Sequence, residues 1–165
     1  MTDGTIGGAE DFESLFWHDN LLHGLRWEIG DPQRGEWHSR LILDIDHILE
    51  WLRGAQGRPT FRVAPATLVF QDVRDLKLSL DWGESGAPNI MHLQAPTIHE
   101  VERVLIPDLP PPFQDRYWRW SIHFNSPERG LIAFVGSGFR LTLRAEPALC
   151  DEQWYPTDRP RPLPF

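Results

Sequence analysis

The feature that most constrains the fold of this chain is an alternation of apolar and polar residues in short segments. Within residues 21–29, 37–45, 73–82, 117–124 and 139–145, apolar side chains recur at most alternate positions, with exceptions such as His23 and Ser39. This period places them on one face of an extended strand and the polar residues on the other. Gly, Pro, Asp and Asn separate the segments, as in turns between antiparallel strands. The pattern predicts a mainly β protein.

Further segments extend this prediction. Residues 61–70 are rich in Val, Phe and Thr but contain Pro65, which predicts an edge strand or a bulge because proline donates no backbone hydrogen bond. Residues 47–53 fit a helical turn as well as a strand, and we favour extended structure or a short turn. Residues 97–106 predict another strand, and residues 90–93 are compatible with a short one.

The number and order of these segments indicate the architecture. Strands at 117–124, 131–135 and 139–145 follow one another closely, which predicts a β-meander. About eight strands in all, with at most one or two short helices and one of these near residues 10–17, predict an antiparallel β-sandwich or a half-open barrel. The strand at 73–82 shows the clearest alternation, so we expect its apolar face to be buried, namely Leu76, Leu78, Leu80 and Trp82.

Composition divides the chain into one domain and two flanking segments. Residues 1–10 contain no bulky apolar side chain beyond Ile6, which predicts a flexible arm. Residues 11–150 predict a single β-rich domain, since a chain of 165 residues can bury one core without a disulfide. Residues 151–165 are polar and rich in Pro, which predicts an extended tail.

Charge and cysteine content restrict the function and the compartment. The net charge of −8 argues against binding to nucleic acid, which needs a concentrated basic surface. Cys150 is the only cysteine, so a reducing, cytoplasmic compartment is predicted. The sequence shows neither a signal peptide nor a run of about 20 apolar residues, which predicts no association with a membrane. The strong preference for Arg over Lys is typical of GC-rich bacterial genomes.

A first candidate site combines polar residues before the first strand with residues at the end of its expected hairpin partner. Antiparallel neighbours bring such positions side by side, and alternation places Asp44 and Asp46 on one face. Imidazole and carboxylate groups are ligands of zinc or iron-type ions, so a metal would be held by His18, Asp19, Asp44, Asp46 and His47. The structural alternative is a turn at His18-Asp19-Asn20 whose side chains bond the backbone, with Asp44 and Asp46 on the solvent face of a strand. We favour no metal and no cofactor, and retain as ligand-binding candidates Trp17, His18, Asp19, His23, Asp44, Asp46 and His47.

A second candidate is the set of tryptophans, which could line a pocket for a flat or apolar ligand. The set consists of Trp17, Trp27, Trp37, Trp51, Trp82, Trp118, Trp120 and Trp154. Most of them lie on the apolar faces of predicted strands. We therefore expect the following five to fill the core: Trp27, Trp37, Trp82, Trp118 and Trp120.

A third set of residues could supply an acid and a base for catalysis. It consists of His99, Glu100, Glu102, Arg103 and His123. The sequence shows no nucleophile elbow and no phosphate-binding glycine loop. Cys150 precedes two acidic residues, which raise the pKa of a thiol, so we expect it to be inert.

Three segments resemble a bacterial domain of unknown function. They are Phe-Trp-His-Asp-Asn-Leu-Leu at 16–22, Leu-Asp-Ile-Asp at 43–46 and Phe-Arg-Val-Ala-Pro-Ala-Thr-Leu-Val-Phe at 61–70. The first segment is also similar to the start of small β-rich immunity-type proteins from polymorphic-toxin systems, in which His-Asp precedes a strand. The resemblance implies a binding role without chemistry.

These observations favour a non-enzymatic domain that binds a protein or a small ligand. The alternative is a metal-dependent enzyme that uses the His/Asp cluster of the first candidate site. The two hypotheses differ in one geometric respect. Three side chains of that cluster within coordination distance of a common point would favour the enzyme.

Overall fold

The structure, a computed structural model, describes residues 12–54, 57–82 and 95–156. Within these ranges the chain forms nine strands and two 3₁₀-helices of three residues each, Phe12–Ser14 and Pro32–Arg34. The strands are β1 (Leu21–Ile29), β2 (Ser39–Arg53), β3 (Pro59–Gln71), β4 (Arg74–Ser79), β5 (Thr97–Leu105), β6 (Trp118–Ser126), β7 (Leu131–Gly136), β8 (Gly138–Leu143) and β9 (Ala148–Cys150).

All strand pairs are antiparallel and belong to one open sheet. The strand order is β4-β7-β6-β5-β1-β2-β3-β8, and β9 pairs with β3. The predicted mainly β antiparallel fold is therefore confirmed. Of the two predicted forms, a single sheet corresponds to the half-open barrel and not to a sandwich of two separate sheets.

The sheet curls until strands far apart in its order share one core. The ring of Phe70 on β3 lies 5.0 Å from that of Trp120 on β6 and 4.8 Å from that of Phe134 on β7. Two residues connect β3 to β4, although the two strands lie near opposite ends of the strand order. At this point a Cβ on Gly136 would lie 2.9 Å from the carbonyl oxygen of Gln71. Glycine is therefore required for the two chain segments to approach so closely.

Pro65 lies in a strand that is paired on both sides. Its carbonyl oxygen accepts a hydrogen bond from the backbone N–H of Arg144, so its backbone polar atoms face β8 and β9. The pairing with β8 ends at Ala66, and the pairing with β9 begins at Val63. The missing N–H of Pro65 thus falls in the gap between two strands. Proline is accommodated by this gap between β8 and β9, and not by the edge strand or the bulge that the sequence predicts.

The structure also corrects the predicted connectivity. Residues 47–53 continue β2, as favoured from the sequence. The predicted meander is wrong in its third strand, because β6 and β7 pair with each other whereas β8 pairs with β3. The helix predicted near residues 10–17 is the 3₁₀-helix Phe12–Ser14. The arm at 1–10, the segment 90–93 and the end of the tail lie outside the described residues.

Several apolar side chains predicted to be buried are exposed. Trp120 is in the core and Trp118 is half-buried, but Trp27, Trp37 and Trp82 are 49%, 80% and 44% exposed. Leu78 is also 50% exposed, so the predicted burial of its strand face is wrong there. The physical reason lies at strand edges. Among the described residues, β4 is an edge strand of the sheet, and the register between β1 and β5 consists of Leu21 opposite Thr97.

Candidate functional site

The predicted polar residues are divided between the two faces of β2. Leu41, Leu43 and Ile45 point into the core and define the inner face of the sheet. Because side chains alternate along a strand, His47 lies on this inner face, whereas Asp44 and Asp46 lie on the outer face. The sheet itself therefore separates the imidazole of His47 from the two carboxylates.

On the inner face, Asn20 holds the segment before β1 against β2. Its side chain is fully buried, and its Oδ1 accepts a hydrogen bond from the backbone N–H of Ile48 at 2.8 Å. Its Nδ2 donates to the carbonyl oxygen of Phe16 at 2.9 Å and lies 3.1 Å from Nδ1 of His47. The ring of Trp17 packs 6.0 Å from that of His47. The sequence analysis did not include Asn20 among the candidate ligands, although Asn20 belongs to the polar segment before β1 on which the first candidate site is built.

The hydrogen bonds around Asn20 also determine the tautomer of His47. Since Nδ2 of Asn20 is a donor, Nδ1 of His47 must accept, which leaves the proton of the neutral ring on Nε2. Burial lowers the pKa of His47 to about 4. The ring is therefore neutral at physiological pH and serves as a buried acceptor.

On the outer face, Asp46 holds the segment after β9 against β2. Its side chain is 1% exposed, and its Oδ2 lies 2.8 Å from Nε2 of His23 and 3.1 Å from the backbone nitrogen of Tyr155. Tyr155 and Cys150 pack against a small apolar cluster formed by Ile48, Phe61 and Val63. Asp46 therefore connects β1, β2 and residues that we predicted to belong to the tail.

Asp44 forms a separate contact on the same face. Its carboxylate makes an ion pair with Arg144, which follows β8, and the two side chains are 15% and 3% exposed. The solvent-facing alternative that the sequence suggested for Asp44 and Asp46 is therefore wrong. No sequence pattern relates Arg144 to Asp44, because β8 reaches this position only by pairing with β3.

Asp19 connects the segment before β1 to β6 and to the segment after β9. Its Oδ2 lies 3.0 Å from Nδ1 of His18 and accepts a hydrogen bond from Gln153 at 2.8 Å, while its Oδ1 accepts from Asn125 at 2.7 Å. The ring of His18 packs against that of His99 at 5.1 Å. Asp19 has a φ of 64°, which an aspartate in a turn tolerates. Residues 18 and 19 form the predicted turn, but these hydrogen bonds of Asp19 join it to other side chains and not to the backbone.

The third predicted set is also divided. His123 lies 3.2 Å from a carboxylate oxygen of Glu102. The guanidinium of Arg103 instead packs over the rings of Phe12 and Trp118, at 4.5 Å from each ring centre. Burial raises the pKa of the Cys150 thiol, and the charges of Asp46 and Asp151 raise it further, so this thiol is not an activated nucleophile.

The described residues form at least three open grooves, two of which exceed 400 Å³, but no metal cluster. Across residues 12–54, 57–82 and 95–156, no three His, Cys, Asp or Glu side chains are grouped so that they could hold a metal ion. One groove, of about 420 Å³, runs between the segment 13–18 and His99 and Glu100. The other, of about 520 Å³, lies between β4, β6 and β7.

The hairpin formed by β1 and β2 exposes apolar side chains, including Trp27 and Trp37, which the sequence analysis assigned to the core. Leu25, Trp27 and Ile29 share the face of β1 that continues the inner face, and they are 38%, 49% and 63% exposed. Trp37, 80% exposed, precedes the start of β2, and the indole Nε1 of Trp27 donates to Ser39 at 3.0 Å. We call these four apolar residues, Leu25, Trp27, Ile29 and Trp37, the hairpin strip.

Comparison with protein-family models gave no match, and searches of curated proteins and of solved structures gave no significant match either. In the part of the chain that the structure describes, no helix is long and apolar enough to cross a membrane.

Proposed function

We propose that this chain is a non-enzymatic protein-binding domain whose contact surface is the hairpin strip. The observation that carries the proposal is the exposure of its side chains, which ranges from 38% at Leu25 to 80% at Trp37. Large aromatic side chains at a surface are enriched in protein interfaces and supply much of their binding energy. Clustered on one hairpin, they favour a partner of macromolecular size.

The arrangement of the polar residues supports the same proposal. Asn20, Asp46 and Asp19 each connect chain segments to the sheet, so their polar groups serve to stabilise the fold. The two larger grooves are open to solvent, whereas small-molecule sites bury most of their ligand. The immunity-type resemblance of residues 16–22 agrees with this proposal, since it implies binding without chemistry.

Site-specific photocrosslinking in the organism that encodes the chain tests the proposal. A photoreactive amino acid at position 37 is expected to give a discrete protein adduct. The matched control is the same substitution at Trp154, which is 50% exposed and lies outside the strip. Equal labelling at both positions, or none at position 37, would overturn the proposal.

A further inference from the structure

The groove between β4, β6 and β7 opens on the outer face of the sheet. The core residues Trp120 on β6 and Phe134 on β7 point to the inner face, so their neighbours along each strand point outward. On that outer face, Ala133 lies between Ser121 on β6 and Lys77 on β4, which are its partners in the strand register. The short side chain of Ala133 leaves room for the groove of about 520 Å³, which we call the outer groove.

Three basic side chains surround the outer groove. Val135 lies opposite Arg74 on β4 and Arg119 on β6, and residues directly opposite each other in antiparallel strands place their side chains on one face. Lys77 adds a second positive charge from β4. All three basic residues are exposed. The guanidinium of Arg74 packs 5.6 Å from the centre of the Tyr117 ring, a cation–π contact that favours this orientation of the arginine.

The acidic residues near the outer groove leave it with a positive balance. The carboxylate of Asp75 lines the groove at the bulge in β4. On the neighbouring strand β5, Glu102 contacts Nε2 of His123 at 3.2 Å. In the described part of the chain, Lys77 and Arg119 form no ion pair with a carboxylate. The three basic residues thus outnumber Asp75, in a chain whose net charge is −8.

From this arrangement we infer that the outer groove binds an extended, acidic segment of a protein partner. Lys77 and Arg119 belong to strands on either side of β7, about 10 Å apart across the sheet, so a segment with several Asp or Glu residues that crosses β7 contacts both. The net negative charge of the chain repels such a segment, and a basic groove is where complementary charges direct it to bind. The outer groove is a second surface, and the inference does not depend on the hairpin strip.

An NMR titration of the full chain with a hexaglutamate peptide, up to millimolar concentration, tests the inference. Binding should shift the amide signals of Lys77, Arg119, Ser121 and Ala133 more than that of Arg140. Lys77→Glu and Arg119→Glu should each raise the dissociation constant by roughly fivefold or more, because an attraction becomes a repulsion. Lys77→Gln, which only removes the charge, should raise it less. Arg140→Glu is the matched control, since it changes the net charge equally at an exposed arginine on β8.

Three results would overturn the inference. The first is the absence of peptide binding, and the second is an equal loss of affinity in Arg140→Glu and Lys77→Glu, which would reflect only the overall charge. The third is the same set of shifts with inorganic phosphate at the same concentration, which would show that the groove holds an isolated anion. None of these results bears on the position-37 adduct, so a failure of this inference is distinguishable from a failure of the proposed function.

Discussion

Asn20 and His47, 27 residues apart in the sequence, form a buried contact in which the amide Nδ2 lies 3.1 Å from the imidazole Nδ1. The contact joins the segment before β1 to the middle of β2. Because the same amide group also binds Phe16 and Ile48, its orientation is determined, and with it the tautomer of the histidine. Two predictions concern this pair.

The first prediction concerns pH. Burial lowers the pKa of His47 to about 4, below the ordinary value of about 6.5 that it has when unfolded. The unfolded chain therefore binds the extra proton first, and the stability that neutral His47 confers is complete above about pH 6.5 and is lost as the pH falls towards 4. The loss amounts to roughly 3 kcal/mol.

Denaturant unfolding of the wild type and of His47→Gln between these pH values measures this effect. The variant should be less stable at neutral pH but should show a shallower dependence on pH, because glutamine does not titrate. Parallel pH profiles of stability for the two proteins would contradict the conclusion that burial lowers the pKa of His47.

The second prediction concerns Asn20. Asn20→Ala removes the acceptor of the Ile48 N–H and the donor to His47, and unsatisfied buried polar groups cost about 1–3 kcal/mol each. We expect the free energy of unfolding to fall by about 3 kcal/mol. Asn125→Ala is the control, since Asn125 donates to Asp19 from an exposed position. Thermal melts in which the two variants lose equal stability would disprove the role given to Asn20.

The third prediction concerns the two aspartates of the outer face. If they faced solvent, replacing both with Asn would cost less than about 1 kcal/mol. Because Asp46 is 1% exposed and Asp44 neutralises the 3% exposed Arg144, we expect the double variant to lose more than about 3 kcal/mol. Chemical denaturation measures the difference, and a loss below about 1 kcal/mol would show that both carboxylates are replaceable.

The same double variant separates the binding domain from the metal-dependent enzyme. A metal that binds only the folded protein would raise its melting temperature as the metal concentration rises. We expect no such shift for the wild type when zinc, manganese or calcium is added after a chelator. A shift confined to the wild type and absent from the double Asn variant would support the enzyme.

The fourth prediction concerns the edge strand β4. Leu78 is 50% exposed, whereas its pairing partner Ile132 on β7 is fully buried. Leu78→Asp should therefore cost less than about 1 kcal/mol. Ile132→Asp places a charge in the core and should prevent folding. Circular dichroism and a melting curve of each variant test this contrast. Equal destabilisation by the two substitutions would show that Leu78 is covered in solution.

The sequence by itself determined most of the strands, because alternation between apolar and polar residues is a local property. It located β1, β2, β5 and β6 closely and indicated a core that contains Trp120. It also predicted a turn at His18 and Asp19, where short polar side chains bind nearby groups.

Tertiary structure alone decided which strands become neighbours and which side chains are covered. Alternation places Leu25 and Trp27 on the apolar face of β1 and Leu78 on that of β4, but burial also requires an element that packs over that face. Leu25, Trp27 and Leu78 remain 38%, 49% and 50% exposed. The predicted His/Asp cluster was divided because His47 and Asp46 are adjacent in a strand and so point to opposite faces. Arg144 meets Asp44 for a similar nonlocal reason, since β8 leaves β7 and pairs with β3.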